Sequence, residues 1–197
     1  MVLKEGINMR RIYKGQFEYI KKRKLQLGLL SVGCFLLVFA LLITGYISTG
    51  TKENLLTMVA ILGVLPAAKF AATFFIIFPH HSQTKEDFDL VQQNCGDAIF
   101  YTDVLFSTEK KVLPTDFVVI RGGNVCGYAS QPKYDTIFAQ EYLGNMLKKN
   151  GVKANIKIFT DKTKFLRRIQ EIAALEVEEK QEVRDERTAQ LLLTLIM

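Results

Sequence analysis

Two apolar runs near the start of the chain dictate most of what it can become. Residues 25–47, LQLGLLSVGCFLLVFALLITGYI, form 23 consecutive positions without a charge. Residues 55–78, LLTMVAILGVLPAAKFAATFFIIF, form 24 positions with one charge, Lys69. A bilayer core takes roughly 20 residues of helix, so each run is long enough to span with some tilt. Only seven polar residues, STGTKEN, separate them, and so short a link forces two helices to run antiparallel side by side. A cleaved signal peptide fits poorly. The first apolar core is too long, no small-residue cleavage site precedes a mature domain, and a second span follows at once.

The charge distribution orients this hairpin. The first 24 residues hold eight basic side chains, Lys4, Arg10, Arg11, Lys14, Lys21, Lys22, Arg23 and Lys24, against Glu5 and Glu18. The link between the runs holds Lys52. The positive-inside bias therefore places the N-terminus in the cytoplasm, and two spans return the C-terminal part to the same side. Lys21, Lys22, Arg23 and Lys24 are the topology residues. Residues 10–24 are also placed to touch anionic lipid headgroups, each charge adding about 1 kcal/mol near the surface. The overall net charge of +6 comes from this block. Residues 79–197 carry 16 Lys or Arg and 17 Asp or Glu, which argues against nucleic acid as a partner.

Lys69 and Pro66 mark the second run. An ionisable residue within a span is a candidate functional site. Lys69 lies nine positions before Phe78, about 13 Å by helical rise, and its stem can snorkel much of that way. Pro66 is expected to kink the helix. Ala67, Ala68, Ala71 and Ala72 offer small side chains for close helix packing. A transport path built on Lys69 and Pro66 would need a homo-oligomer, because one chain supplies only two spans.

From Pro79 the pattern becomes that of an α/β domain. Thr84-Lys-Glu-Asp87 resembles a capping box opening a short helix that Gly96 ends. AIFYTDVLF, 98–106, reads as a strand, and STEKKVLPT as a turn. Asp116 opens a second strand, Arg121-Gly-Gly-Asn124 is a hairpin turn, and 125–129 is the third strand. Asp135 caps a helix reaching Lys149, which Asn150-Gly151 stops. Asn155–Thr160 is a fourth strand, and Asp161 caps a last helix with Phe165, Leu166, Ile169, Ile172 and Ala173 inward. Glu176–Arg187 reads as a solvated helical extension. The apolar tail 191–197 is too short to span a membrane and packs on the domain or on a partner.

The expected architecture is thus a membrane protein: a two-helix transmembrane hairpin plus an α/β domain. The domain order is α-β-β-β-α-β-α, a small central mixed sheet flanked by helices. Its segments are a basic cytoplasmic stretch 1–24, helix 25–47, external loop 48–54, helix 55–78, cytoplasmic domain 79–175, and a charged helix with apolar tail 176–197.

That element order, over roughly residues 84–170, resembles the nuclease-related domain of the restriction-endonuclease-like fold, found in some bacterial membrane-attached proteins. The local stretch carrying the resemblance is Thr115-Asp-Phe-Val-Val-Ile-Arg-Gly-Gly-Asn-Val-Cys-Gly-Tyr-Ala-Ser-Gln131. The family pattern has an Asp opening strand two, a turn, and a strand ending in Glu-x-Lys. Asp116 matches the Asp, but Ala129 stands at the Glu position and Gln131 at the Lys position. Such nucleases hold a divalent cation between carboxylates to activate water, and Asp116 beside Ala129 is a poor set of hard oxygen ligands. The resemblance therefore implies a catalytically degenerate copy with Asp116 as its one candidate residue.

No other constellation is stronger. His80, His81 and Cys95 match no zinc spacing, so no metal or other cofactor is expected. Cys34, Cys95 and Cys126 form no CxxC pair and suit free thiols in a reducing compartment. Gly122-Gly123 lacks the GK[ST] and helix of a phosphate loop. The function expected is a non-catalytic, membrane-anchored interaction domain with a protein partner. The alternatives are an altered nuclease centred on Asp116 and an oligomeric channel using Lys69.

Overall fold

The computed structural model describes residues 14–51, 53–109 and 111–197. Lys4, Arg10, Arg11 and Lys52, and the part of the headgroup-contact segment before residue 14, lie outside them. The chain folds as two units, residues 20–81 and residues 14–19 together with 82–197.

The first unit is a helical hairpin. Helix α1 spans Tyr19–Thr49 and helix α2 spans Leu55–Ile77, and both are long and apolar enough to cross a membrane. Lys21 to Lys24 are therefore helical, forming the first turns of α1. Asn54 starts α2, its side chain accepting the Thr57 N–H while its amide donates to Thr49 Oγ1 and the Thr51 carbonyl. The covered positions of α2 include Leu56, Ala60, Gly63, Ala67, Phe70, Phe74 and Ile77, and those of α1 include Leu27, Ser31, Cys34, Val38, Leu41 and Gly45. Both sets step by alternating threes and fours, the heptad spacing of antiparallel helices packed along a seam. Small residues let the backbones close in: a Cβ at Gly63 would stand 3.1 Å from Val38 Cγ2, and one at Gly28 3.3 Å from Phe74. Leu29, Leu36, Ile43 and Ile47 on α1, and Met58, Leu62, Leu65 and Phe75 on α2, are each more than half exposed. A core helix of a water-soluble domain would bury such side chains.

The second unit is built on a four-stranded sheet in the order β1-β2-β3-β4, with β1 (Ile99–Ser107), β2 (Val112–Arg121), β3 (Asn124–Tyr128) and β4 (Asn155–Phe159). The first three are antiparallel neighbours, and β3 and β4 are parallel. A parallel pair needs a crossover, which α4 (Thr136–Lys149) supplies. The other helices are α3 (Lys85–Cys95), α5 (Lys162–Ala173) and α6 (Glu179–Leu195).

Alternation along β2 sorts the two faces. Phe117 and Val119, with Cys126 of β3, pack against Val91 and Cys95 of α3 and Phe165, Ile169 and Ile172 of α5. Phe165 lies at the centre, its ring 6.4 Å from Phe117, 5.4 Å from Tyr128 and 6.4 Å from Phe159. Burying each such side chain contributes about 1.5–3 kcal/mol. The alternate residues Val118 and Ile120 are equally buried on the opposite face, where α4 packs on β4 and α6 on β1 and β2.

Two readings of the sequence are corrected here. Strand β2 begins at Val112 rather than Asp116, so Leu113-Pro114 is strand and not turn. Pro114 pairs with Leu105, whose carbonyl accepts the Met197 N–H at 3.0 Å and so points away from β2. The donor that proline lacks therefore faces the other side, beyond the end of β3, where no ladder bond is needed. The charged stretch 176–187 is also not a solvated extension of α5. The chain breaks after Ala174, and α6 turns back to bury Asp185, Thr188, Ala189 and Leu192.

Asp185 is what holds α6. Gly122 and Gly123, with φ of +59° and +74°, make the two-residue turn joining β2 to β3, where only glycine sits without strain. Their N–H groups both donate to the Asp185 carboxylate, at 2.6 and 2.9 Å, and Gln181 Nε2 adds a third bond at 3.0 Å. Further along, Ile196 bridges to Phe106, so the apolar tail packs along the outer edge of β1. The segment before α1 covers the same edge. The Gly15 carbonyl accepts the Thr102 N–H at 2.9 Å, Lys14 Nζ donates to the Ile196 carbonyl, and the Phe17 ring packs tilted against Phe88 with centroids 4.8 Å apart. Gly15 has φ +79°, and a Cβ there would lie 2.7 Å from the Tyr101 ring. The β1 edge is thus occupied, as exposed edges are in folded proteins.

Candidate functional site

Asp116 lies on β2 where it meets the start of α3. Its two oxygens are engaged by different segments: Gln83 Nε2 donates to Oδ1 at 2.6 Å, and the Ser130 N–H donates to Oδ2 at 2.6 Å. Gln83 precedes the α3 cap Thr84, and Ser130 follows β3, so the carboxylate ties three pieces of chain together. Burial pushes the Asp116 carboxyl above its ordinary range, while the Ser130 and Gln83 hydrogen bonds pull the other way.

A second carboxylate shares this place. Thr102 pairs with Phe117 and Val104 with Thr115, so Asp103 falls opposite Asp116. The ladder lapses at that one step because Asp103 takes φ +54°, in the left-handed region that Asp tolerates better than most residues. Asp103 is 1% exposed. The Gln83 N–H donates to its Oδ1 at 3.1 Å, so Gln83 bridges the two aspartates with its backbone and its side chain. Asp103 escaped the sequence reading, although a charged residue within the apolar run AIFYTDVLF was a visible signal.

Around this pair lie further polar groups. Lys162, first residue of α5, forms an ion pair with Asp87 of α3. Asp87 therefore does not reach back as a capping-box acid; only the Thr84 half of the box is present, accepting the Asp87 N–H at 3.2 Å. Asp161 caps α5 through the Thr163 and Lys164 N–H groups. Tyr134 bonds Thr115 at 2.9 Å, and burial pushes its hydroxyl up to about 12.

Hydrolysis assisted by a metal needs carboxylate oxygens open to an ion and a base beside them. Ala129 is fully buried and its N–H donates to the Phe159 carbonyl at 2.9 Å, so it serves the sheet. Gln131 is exposed. Among the described residues no three His, Cys, Asp or Glu side chains converge as metal ligands. Cys95 and Cys126 are buried, and burial pushes both thiols up, away from the thiolate a nucleophile needs.

In the hairpin, Lys69 and Pro66 both lie on the outward side of α2, off the seam, with Ala68 and Ala72. Of the four alanines, Ala67 is the one fully buried. Helix α2 runs through Pro66 without interruption. Lys24 Nζ stands 5.6 Å from the Phe78 ring, at the end of the hairpin opposite its loop. No protein-family model, curated protein or solved structure matches this chain at significance.

Proposed function

We propose that this chain is a two-pass membrane protein whose α/β unit works by binding a protein partner rather than by catalysis. The hairpin anchors the unit, with the Lys21–Lys24 end and both chain ends on the cytoplasmic side and the bilayer against its exposed leucines. The observation that carries the non-catalytic reading is the internal engagement of Asp116. Each of its oxygens already accepts from an internal donor, and the positions that would complete a cation site hold Ala129 and Gln131. Asp116 is then a structural tie.

A second reading, an altered nuclease, draws support from one observation: a second buried carboxylate, Asp103, directly across the ladder from Asp116. One experiment separates them. The full chain in detergent micelles is incubated with DNA and RNA in Mg²⁺ or Mn²⁺, beside Asp116→Ala. The binding reading expects equal background in both samples; cleavage that disappears in the variant would sink it.

The same variant has a structural signature. Removing the carboxylate leaves the Gln83 amide and the Ser130 N–H without their acceptor, which costs about 2–4 kcal/mol. Hydrogen exchange of β2 and β3 amides in the full chain reads this directly. Unchanged protection would show that the tie is dispensable.

Asp116 also sets a pH dependence. Because its folded-state value is raised, the native state keeps a proton that the unfolded state has lost, from the ordinary value of 3.8 upward. The stabilisation is therefore complete at lower pH and fades as pH rises through the raised value. Asp116→Asn is expected to remove that part of the slope, read as protection against pH for the two proteins. Parallel profiles would argue against it.

A further inference from the structure

The charges of the α/β unit are segregated although their total is near zero. Residues 142–170 carry eight Lys or Arg and a single acid, Asp161, while residues 171–186 carry seven acids and two bases. The basic block surrounds β4, an edge strand. Lys148 and Lys149 end α4, Lys153 precedes β4, and Lys157 lies within it; all four are exposed and none forms an ion pair with another described residue. Lys148 and Lys153 line a groove with Gly144, Val152 and Asn155 at the start of the strand.

The strand's backbone completes the feature. The Asn155 N–H donates to the Gly123 carbonyl at 2.8 Å and the Phe159 carbonyl accepts from Ala129 at 2.9 Å, so these residues face β3. Alternate residues of a strand turn their backbone groups to opposite sides, so Ile156 and Ile158 present theirs outward. No described strand pairs with them. One of the two donors has a substitute partner: the Ile158 N–H donates to Gln140 Oε1 at 3.2 Å. The β1 edge, by contrast, is covered by residues 15 and 196–197.

We propose that the outer edge of β4 is a docking strand for an extended acidic peptide of a partner protein. This rests on the reading of the unit as an interaction module and names the chemistry of its partner. An added strand offers both N–H donors and carbonyl acceptors, which the outward groups of Ile156 and Ile158 require. A deoxyribose–phosphate backbone supplies acceptors alone and leaves both isoleucine carbonyls without a donor, and a ribose one offers only its 2′-hydroxyls. The lysines give selectivity. They repel basic strands, they disfavour neutral ones because docking would strip water from the ammonium groups, and they favour an acidic one. Gln140 holds the Ile158 donor until that strand arrives.

The test uses the full chain in detergent micelles and a fluorescein-labelled hexapeptide alternating Glu and Val, capped at both ends, read by anisotropy. Saturable binding is expected, weakened about tenfold by high salt. Methylating the peptide nitrogens of alternate residues removes the donors of one edge and is expected to weaken binding about tenfold. The exposed substitutions Lys153→Glu and Lys157→Glu together should weaken it at least as much, while Gln140→Ala tightens it several-fold by releasing the Ile158 donor. Four results would overturn the proposal: no saturable binding; equal binding of the methylated peptide; tighter binding of oligothymidylate or phosphatidylserine vesicles, lost in the double variant; or self-association of the protein alone, lost in the same variant. Metal-dependent cleavage of nucleic acid would sink the interaction-module reading without touching the peptide result, so the two can fail separately.

Discussion

Asp185→Ala is expected to lower the stability of the α/β unit by about 3–5 kcal/mol, the largest loss from any single side chain outside the apolar core. Asp185 is 4% exposed and accepts three hydrogen bonds, two from the Gly122 and Gly123 N–H groups and one from Gln181. Hydrogen bonds to a charged acceptor are worth roughly twice neutral ones. Truncation also leaves two turn N–H groups pointing into the space the carboxylate vacates. The damage spreads because Asp185 is the polar anchor of α6, whose Ala189 and Leu192 cover the sheet. Asp185→Asn keeps one acceptor oxygen but turns an NH₂ towards the other donor, so about half the loss is expected. The measurement is hydrogen exchange of the Gly122 and Gly123 amides and of α6. If alanine leaves α6 as protected as before, the helix is held by its apolar face alone.

Asp185 also shows where reading a sequence stops. Thr84, Asp135 and Asp161 were legible as caps because each partner is two or three residues away, for instance the Phe138 N–H at 3.0 Å from Asp135 Oδ1. The turn Gly122-Gly123 was legible because two adjacent glycines between β-branched runs fit a two-residue hairpin. Asp185 reaches across 62 and 63 residues to that turn, and nothing in its neighbours EVRDER separates it from a solvated acid. The same holds at the candidate site. The sequence shows Asp116 and, at the places the resemblance would give to catalytic companions, Ala129 and Gln131. It does not show Gln83, which joins Asp116 from 33 residues away, nor Asp103, which arrives through strand pairing. Pro114 misled in the opposite direction. Proline is a local stop signal, and a ladder position where its missing donor is not needed overrode it. In the hairpin, the two runs read as helices from composition, but the seam required knowing which stripe faces inward. Lys69 and Ala68 turned out to lie off it.

Moving the basic charge from one end of the hairpin to the other is expected to invert the chain. Lys21, Lys22, Arg23 and Lys24 occupy the first turns of α1, and the antiparallel helices bring Phe78 to the same end, where Lys24 meets its ring. The loop holds Lys52 as its only Lys or Arg. A variant with Lys4, Arg10, Arg11 and these four residues changed to Gln, and with Ser48 and Thr51 changed to Lys, leaves Lys14 and Lys85 flanking one end against three lysines in the loop, and so reverses that bias while leaving the Asn54 cap and the apolar seam intact. Orientation follows the Lys and Arg of short flanking segments, so a majority of molecules should carry the α/β unit to the outer face. The readout is a membrane-impermeant maleimide applied to intact cells, with Lys149→Cys as the reporter on an exposed position of α4. Cys95 and Cys126 are 3% and 1% exposed and stay silent in the folded protein. The parent should remain unlabelled until the cells are opened, and the swapped variant should label at once. Labelling of the parent in intact cells would place the unit outside and with it the β4 edge, whose partner would then be an extracellular one. Two silent proteins would mean that the α/β unit itself, rather than the Lys21–Lys24 cluster, dictates which side it occupies.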